Sequence, residues 1–239
     1  MAAAATHFAF TQESSSSSAT QAPQQQPDAQ QQPANPNQGA ISVQARIRAR
    51  REQRRAQAIH DVYSHLFEAH ASMGYLRWTP GASLQRVTLY AWDTGVTRYY
   101  NEKLGITFNG RGYYGTPFVG INKQTNSGVT NPAISMYSFM AGPTYRFIRE
   151  PKYSVSGRVM AGYAQGNFSG DTNGFSPQSL GLYADGGTYI FSASVPVDYH
   201  VSPAVSLRLA PEYVATGFGS TVQNSLGFTG GFVFRFGKR

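Results

Sequence analysis

With 239 residues, of which 13% are charged, 13% aromatic and 25 glycine, the chain carries about half the usual charged fraction and favours strands over long helices. It has no cysteine, which excludes a disulfide framework and a thiolate metal site, and no stretch nears the roughly 20 apolar residues of a membrane-crossing helix. The formal charge of +8 is spread, with six Arg against three acids before residue 61 and 14 basic against nine acidic residues from residue 61 onward, so no single face combines Lys, Arg and aromatics as a nucleic-acid surface would.

In chain order, the opening "MAAAATHFAFTQESSSSS" lacks a cationic n-region and is broken at Thr6 and His7 before an apolar h-region forms, so as written it makes a poor secretion signal. Residues 1–41 are dominated by Ser, Gln, Ala and Pro. They bury too little to offset ordering entropy, which predicts a disordered tail. Residues 42–61 form a basic linker; "ISVQARIRARREQRRAQAI", with no Gly or Pro, predicts a short helix on which Arg46, Arg48, Arg50, Arg51, Arg54 and Arg55 wrap most of the circumference. Such a helix is a solvated spacer or a contact for phosphate-rich lipid headgroups or a cell-wall partner.

From residue 62 to 239 the texture changes to period-two alternation. Eight strands are predicted, at about 63–78, 87–99, 104–116, 134–148, 152–167, 187–200, 204–216 and 224–236. Ordinary strands peak at roughly 5–6 residues, whereas a tilted strand needs about 9–11 to cross a bilayer core. The connections alternate too. "YNEK", "REP" and "VSP" are tight, while "TPGASLQR", "PFVGINKQTNSGVTNP", "SGDTNGFSPQSLGLYADG" and "GFGSTVQ" are long and rich in turn residues. This predicts an all-β fold: an eight-stranded antiparallel up-and-down transmembrane β-barrel, with both chain ends on the short-turn side.

On the last strand Phe228, Phe232, Phe234 and Phe236 share one face and Thr229, Gly231, Val233 and Arg235 the other. The same division along the other strands gathers Glu68, Asp93, Arg111, Arg146, Arg158, Asp198, Arg208, Glu212 and Arg235 on the face without large apolar groups. An eight-stranded barrel is filled by its own side chains, and isolated buried ions cost several kcal/mol. These nine residues are therefore expected to form a lumenal plug of ion pairs, with His70 and His200 as further candidates. Aromatics near strand ends, Tyr75, Trp78, Tyr99, Tyr100, Tyr113, Tyr145, Tyr153, Tyr199 and Tyr213, are expected to form girdles at two membrane interfaces.

Over residues 62–239 the sequence resembles the small eight-stranded bacterial outer-membrane β-barrel proteins of the OmpA/OmpX-like class. Its "RGYYGTPFVG", "ISMYSFMAGPTYRF" and "FGSTVQNSLGFTGGFVFRFGKR" look most like barrels of Acidobacteria. The ending is also similar to the signal read by the barrel-assembly machinery, through Thr229, Gly231, Phe234 and Phe236, although Gly237, Lys238 and Arg239 follow the last aromatic. The resemblance implies export to the outer membrane with both ends periplasmic, lipids and the assembly machinery as partners, and a monomer.

No nucleophile lies beside a base, none of the five His is in a long loop, and Asp171 and Asp185 read as turn residues rather than a carboxylate or calcium pair. No enzyme activity, cofactor or metal is expected. The leading expectation is a structural or surface-interaction role through the long loops, ahead of a narrow gated pore for small solutes and of an outer-membrane enzyme; a soluble ligand-binding barrel comes last.

Overall fold

The structure, a computed structural model, describes residues 36–120, 128–219 and 221–238. The chain divides into two compact units, Met1–Ala45 and Arg46–Arg239, and the tail up to residue 35 lies outside the described residues.

Helix α1 runs Pro36–Tyr63, longer at both ends than the sequence predicts. Pro36 suits the first helical position, where its missing N–H would have had no partner. At the other end Tyr63, expected to open the first strand, is instead the last helical residue and is 1% exposed. The arginines of α1 face solvent, and Arg55 reaches Glu150 at 2.7 Å.

Nine strands follow: β1 (His65–Trp78), β2 (Val87–Tyr99), β3 (Leu104–Gly115), β4 (Ala133–Arg149), β5 (Tyr153–Gly170), β6 (Gly186–Ser194), β7 (Val197–His200), β8 (Val205–Thr216) and β9 (Gln223–Lys238). β1 to β6 pair antiparallel in chain order, as do β7, β8 and β9, and β6 and β7 share one stave, each pairing with β5 and β8. The predicted sixth strand is thus split at Val195 and Pro196, because proline has no N–H to give the ladder. Its facing survives the break: Ser192, Ser194, Asp198 and His200 all point inward. β9 closes the ring by pairing with β1, from His65 opposite Lys238 to Arg77 opposite Leu226. The result is a closed eight-stave barrel, which leaves no open sheet edge.

Side chains alternate across this wall. Outward stand Met73, Tyr90, Phe108, Phe139, Phe147, Tyr163, Tyr189, Leu209, Phe232 and Phe234, all exposed, with Met73 at 76% and Phe139 at 74%. Inward, the barrel has two storeys. The half nearer the short turns holds the charges, and the half nearer the long loops is an apolar core that includes Leu76, Leu89, Met136, Met160, Ile190 and Val214.

Candidate functional site in the barrel lumen

All nine residues predicted for the lumen are buried inside the barrel, and two clusters divide eight of them. Nearest the short turns, Glu68 of β1 takes Arg146 of β4, Arg235 of β9 at 2.6 Å and Arg208 of β8 at 3.6 Å. Tyr99 adds its hydroxyl to Glu68 at 3.0 Å, and its ring lies 3.6 Å below the Arg146 guanidinium. Asp198 clasps Arg208 through two nitrogens, at 2.6 and 2.8 Å. Further up, Arg111 of β3 bridges Glu212 at 2.5 Å and Asp93 at 3.4 Å. Asn109 and His70 complete the shell of Asp93, the His at 3.5 Å. Arg158 departs from the expected pairing: among the described residues it lies within 4 Å of no carboxylate.

The short-turn end is closed by the helix. Arg235, which only donates, reaches Ser206 Oγ at 2.7 Å, and Ser206 lies 2.7 Å from His200 Nδ1. His200 Nε2 lies 3.1 Å from the Tyr63 hydroxyl, which donates to the Glu150 carbonyl at 2.9 Å. The donor directions are consistent from Arg235 to Glu150 with His200 carrying its proton on Nε2. Burial pushes the Tyr63 phenol pKa up, so it remains a donor at neutral pH.

At the loop end Trp78 stacks on Phe168 at 5.6 Å and meets Phe218 and Tyr183 edge-on, both at 5.9 Å, while its indole N–H donates to Thr216 at 3.0 Å. Leu180 and Leu182 from the β5–β6 connection join the same cluster. Trp78, Tyr99 and Tyr113 therefore belong to the lumen and not to the predicted girdles. Parity explains the correction and could have been read beforehand: Trp78 is ten residues from Glu68, Tyr99 six from Asp93 and Tyr113 two from Arg111, all even spacings in a strand. Tyr75, Tyr100, Tyr145, Tyr153, Tyr199 and Tyr213 do face outward.

Of the residues in the C-terminal signal, Thr229 points into the lumen and Phe234 and Phe236 point out. Gly231 sits opposite Ser72 on the closing seam, where a Cβ would collide with the backbone of Ala71 and Ser72. Gly231→Ala is expected to cost about 1–3 kcal/mol, as overpacking does, measured by urea unfolding of refolded protein. Gly230→Ala is the control, since its Cβ would come closest to the end of the Leu209 side chain, at 3.3 Å, and meet the Arg208 carbonyl and Phe228 at ordinary contact distances of 3.8 and 4.0 Å.

The two loop aspartates serve the loop itself. Asp171 has φ of 54° in a tight turn, and Asp185 accepts the Phe168 N–H at 2.5 Å. Among the described residues no group of three or more His, Asp or Glu is placed to hold a metal.

No protein-family profile and no curated protein sequence matches the chain. Its structure is similar to that of Neisserial surface protein A, with a TM-score of 0.50 and 16% identity over 71% of this chain and 97% of that one. OprG, an outer-membrane protein of Pseudomonas aeruginosa, gives 0.49 and 10% over 74% and 99%. Ail of Yersinia pestis gives 0.43 and 14% over 70% and 98%. A closed eight-stave ring with charges inside and aromatics outside, superposing on nearly the whole of Neisserial surface protein A, has the fold of the small outer-membrane β-barrels.

Proposed function

We propose that the protein is a closed barrel of the bacterial outer membrane with a structural or surface-interaction role carried by its long loops. The observation that carries this reading is the inverted polarity of the wall. Large apolar side chains face outward all round the ring, and nine of the barrel's carboxylates and guanidiniums are turned into its interior, with Arg77 and Arg98 exposed close to strand ends. In water that arrangement would expose a large apolar area; in lipid it solvates the belt and hides the charges. Trp92, Tyr114 and Tyr137, joined by hydrogen bonds at 3.4 and 2.8 Å on the outer face, are the amphipathic aromatics such a belt uses near its edge.

In this reading the short turns and both chain ends face the periplasm, and the barrel rim that carries the long connections faces outward. Lipids surround a monomer. The assembly machinery reads the last strand through Thr229, Gly231, Phe234 and Phe236. A lumen filled by ion pairs below and an apolar core above favours a structural role over a solute path.

Two measurements on protein refolded from urea into detergent test the reading. Unboiled protein is expected to migrate faster on an SDS gel than boiled protein, and planar bilayers containing it are expected to show no steady single-channel openings. Partition into buffer without detergent would overturn the membrane assignment. Steady openings would overturn the closed lumen alone.

A further inference from the structure

Among the described residues the charges of the lumen do not balance. Arg111, Arg146, Arg158, Arg208 and Arg235 share the barrel with Glu68, Asp93, Asp198 and Glu212, five cations against four anions, all buried. Four of the arginines are held by carboxylates. Arg158 is 3% exposed, and its Nε and Nη2 find no acceptor among the described residues.

The wall beside Arg158 is made of small hydroxyls. Ser194 stands opposite Arg158 in the β5–β6 pair, and Ser156 and Ser192 lie on the same two strands. All three hydroxyls are buried and unpartnered. The carboxylates that could reach over from the upper cluster are engaged: Asp93 by Asn109, His70 and Arg111, and Glu212 by Arg111. A buried guanidinium thus has no carboxylate within 4 Å among the described residues, where solvent screens little, with free donors of its own and hydroxyl donors beside it.

We propose that a monovalent halide-class anion binds in the lumen beside Arg158, among the hydroxyls of Ser156, Ser192 and Ser194. One negative charge makes the count five against five. A spherical anion asks for donors at the right distance and for no particular fork geometry, so the Arg158 N–H groups and the serine hydroxyls can share it.

The test is the full chain, refolded in detergent and crystallised in bromide, with diffraction recorded at the bromine edge. An anomalous peak within hydrogen-bonding reach of the Arg158 guanidinium is expected. In solution the wild-type thermal midpoint should be higher by about 2–4 °C or more in bromide than in gluconate at equal ionic strength, and Arg158→Met should lose that difference. Water alone at the site, Arg158 seated on Asp93 or Glu212, bromide only on the outer surface, or equal wild-type midpoints in the two salts would each overturn the proposal. The wild-type measurements decide it even where the variant does not fold, and they do not depend on whether the loops bind a partner.

Discussion

Glu68→Gln is expected to destabilise the refolded barrel by about 3–5 kcal/mol, the cost of breaking a buried ion network by removing one partner. Glu68 is the single carboxylate shared by Arg146, Arg235 and Arg208, and it also accepts the Tyr99 hydroxyl. Glutamine keeps the volume and one acceptor oxygen but removes the charge. Arg208 and Arg235 still have Asp198, at 2.6 and 3.9 Å, whereas Arg146 keeps only the Glu102 carbonyl, at 3.2 Å, and the faces of Tyr99 and Tyr63. The loss should therefore fall most heavily on Arg146. Urea unfolding followed by tryptophan fluorescence measures it, and adding Arg146→Met to Glu68→Gln should recover part of the loss. A cost below about 1 kcal/mol, the range of an exposed pair, would mean that water reaches this cluster freely.

Trp78→Ala is expected to cost a similar amount, about 3–5 kcal/mol, by a different route. The ring is fully buried at the loop end, stacked on Phe168, edge-on to Phe218 and Tyr183, and hydrogen-bonded to Thr216. Its removal leaves a cavity beneath the β5–β6 connection and frees the aromatics packed on it. Unfolding can still be followed, since Trp92 remains on the outer wall. Limited proteolysis separates the two variants. Trp78→Ala should expose 171–185 to cleavage while the staves stay protected, whereas Glu68→Gln, altered at the opposite end of the lumen, should leave that connection intact. Cleavage of the Trp78→Ala protein at wild-type rates would show that the loop is held by something other than this cluster.

Much of the fold was legible because a strand has a period of two. Alternation identified which face of each strand carries apolar groups, and the alternation of tight and long connections gave the meander and its two rims. Parity also placed Arg146 and Glu68 on one side of the wall. It could not say that they touch, since they are 78 residues apart and meet across the lumen. The same parity placed Trp78, Tyr99 and Tyr113 inside, but residue type suggested an interfacial girdle and misled. Aromatic identity is compatible with either face; position along the pleat decides. Tyr63 had no such signal, because the helix runs on to the barrel mouth and only the neighbourhood of Glu150 and His200 makes it a stopper.

The sequence by itself determined the closed antiparallel topology, the outward apolar face and the inward charged one, since these follow from local periodicity and connection length. Only the tertiary structure decided which charges meet, that the loop half of the lumen is apolar, and that Arg158 has no carboxylate within reach among the described residues. Those outcomes depend on how the strands are staggered around the ring, which sets the level at which each side chain enters the lumen, and stagger is a property of the closed barrel that no single strand encodes.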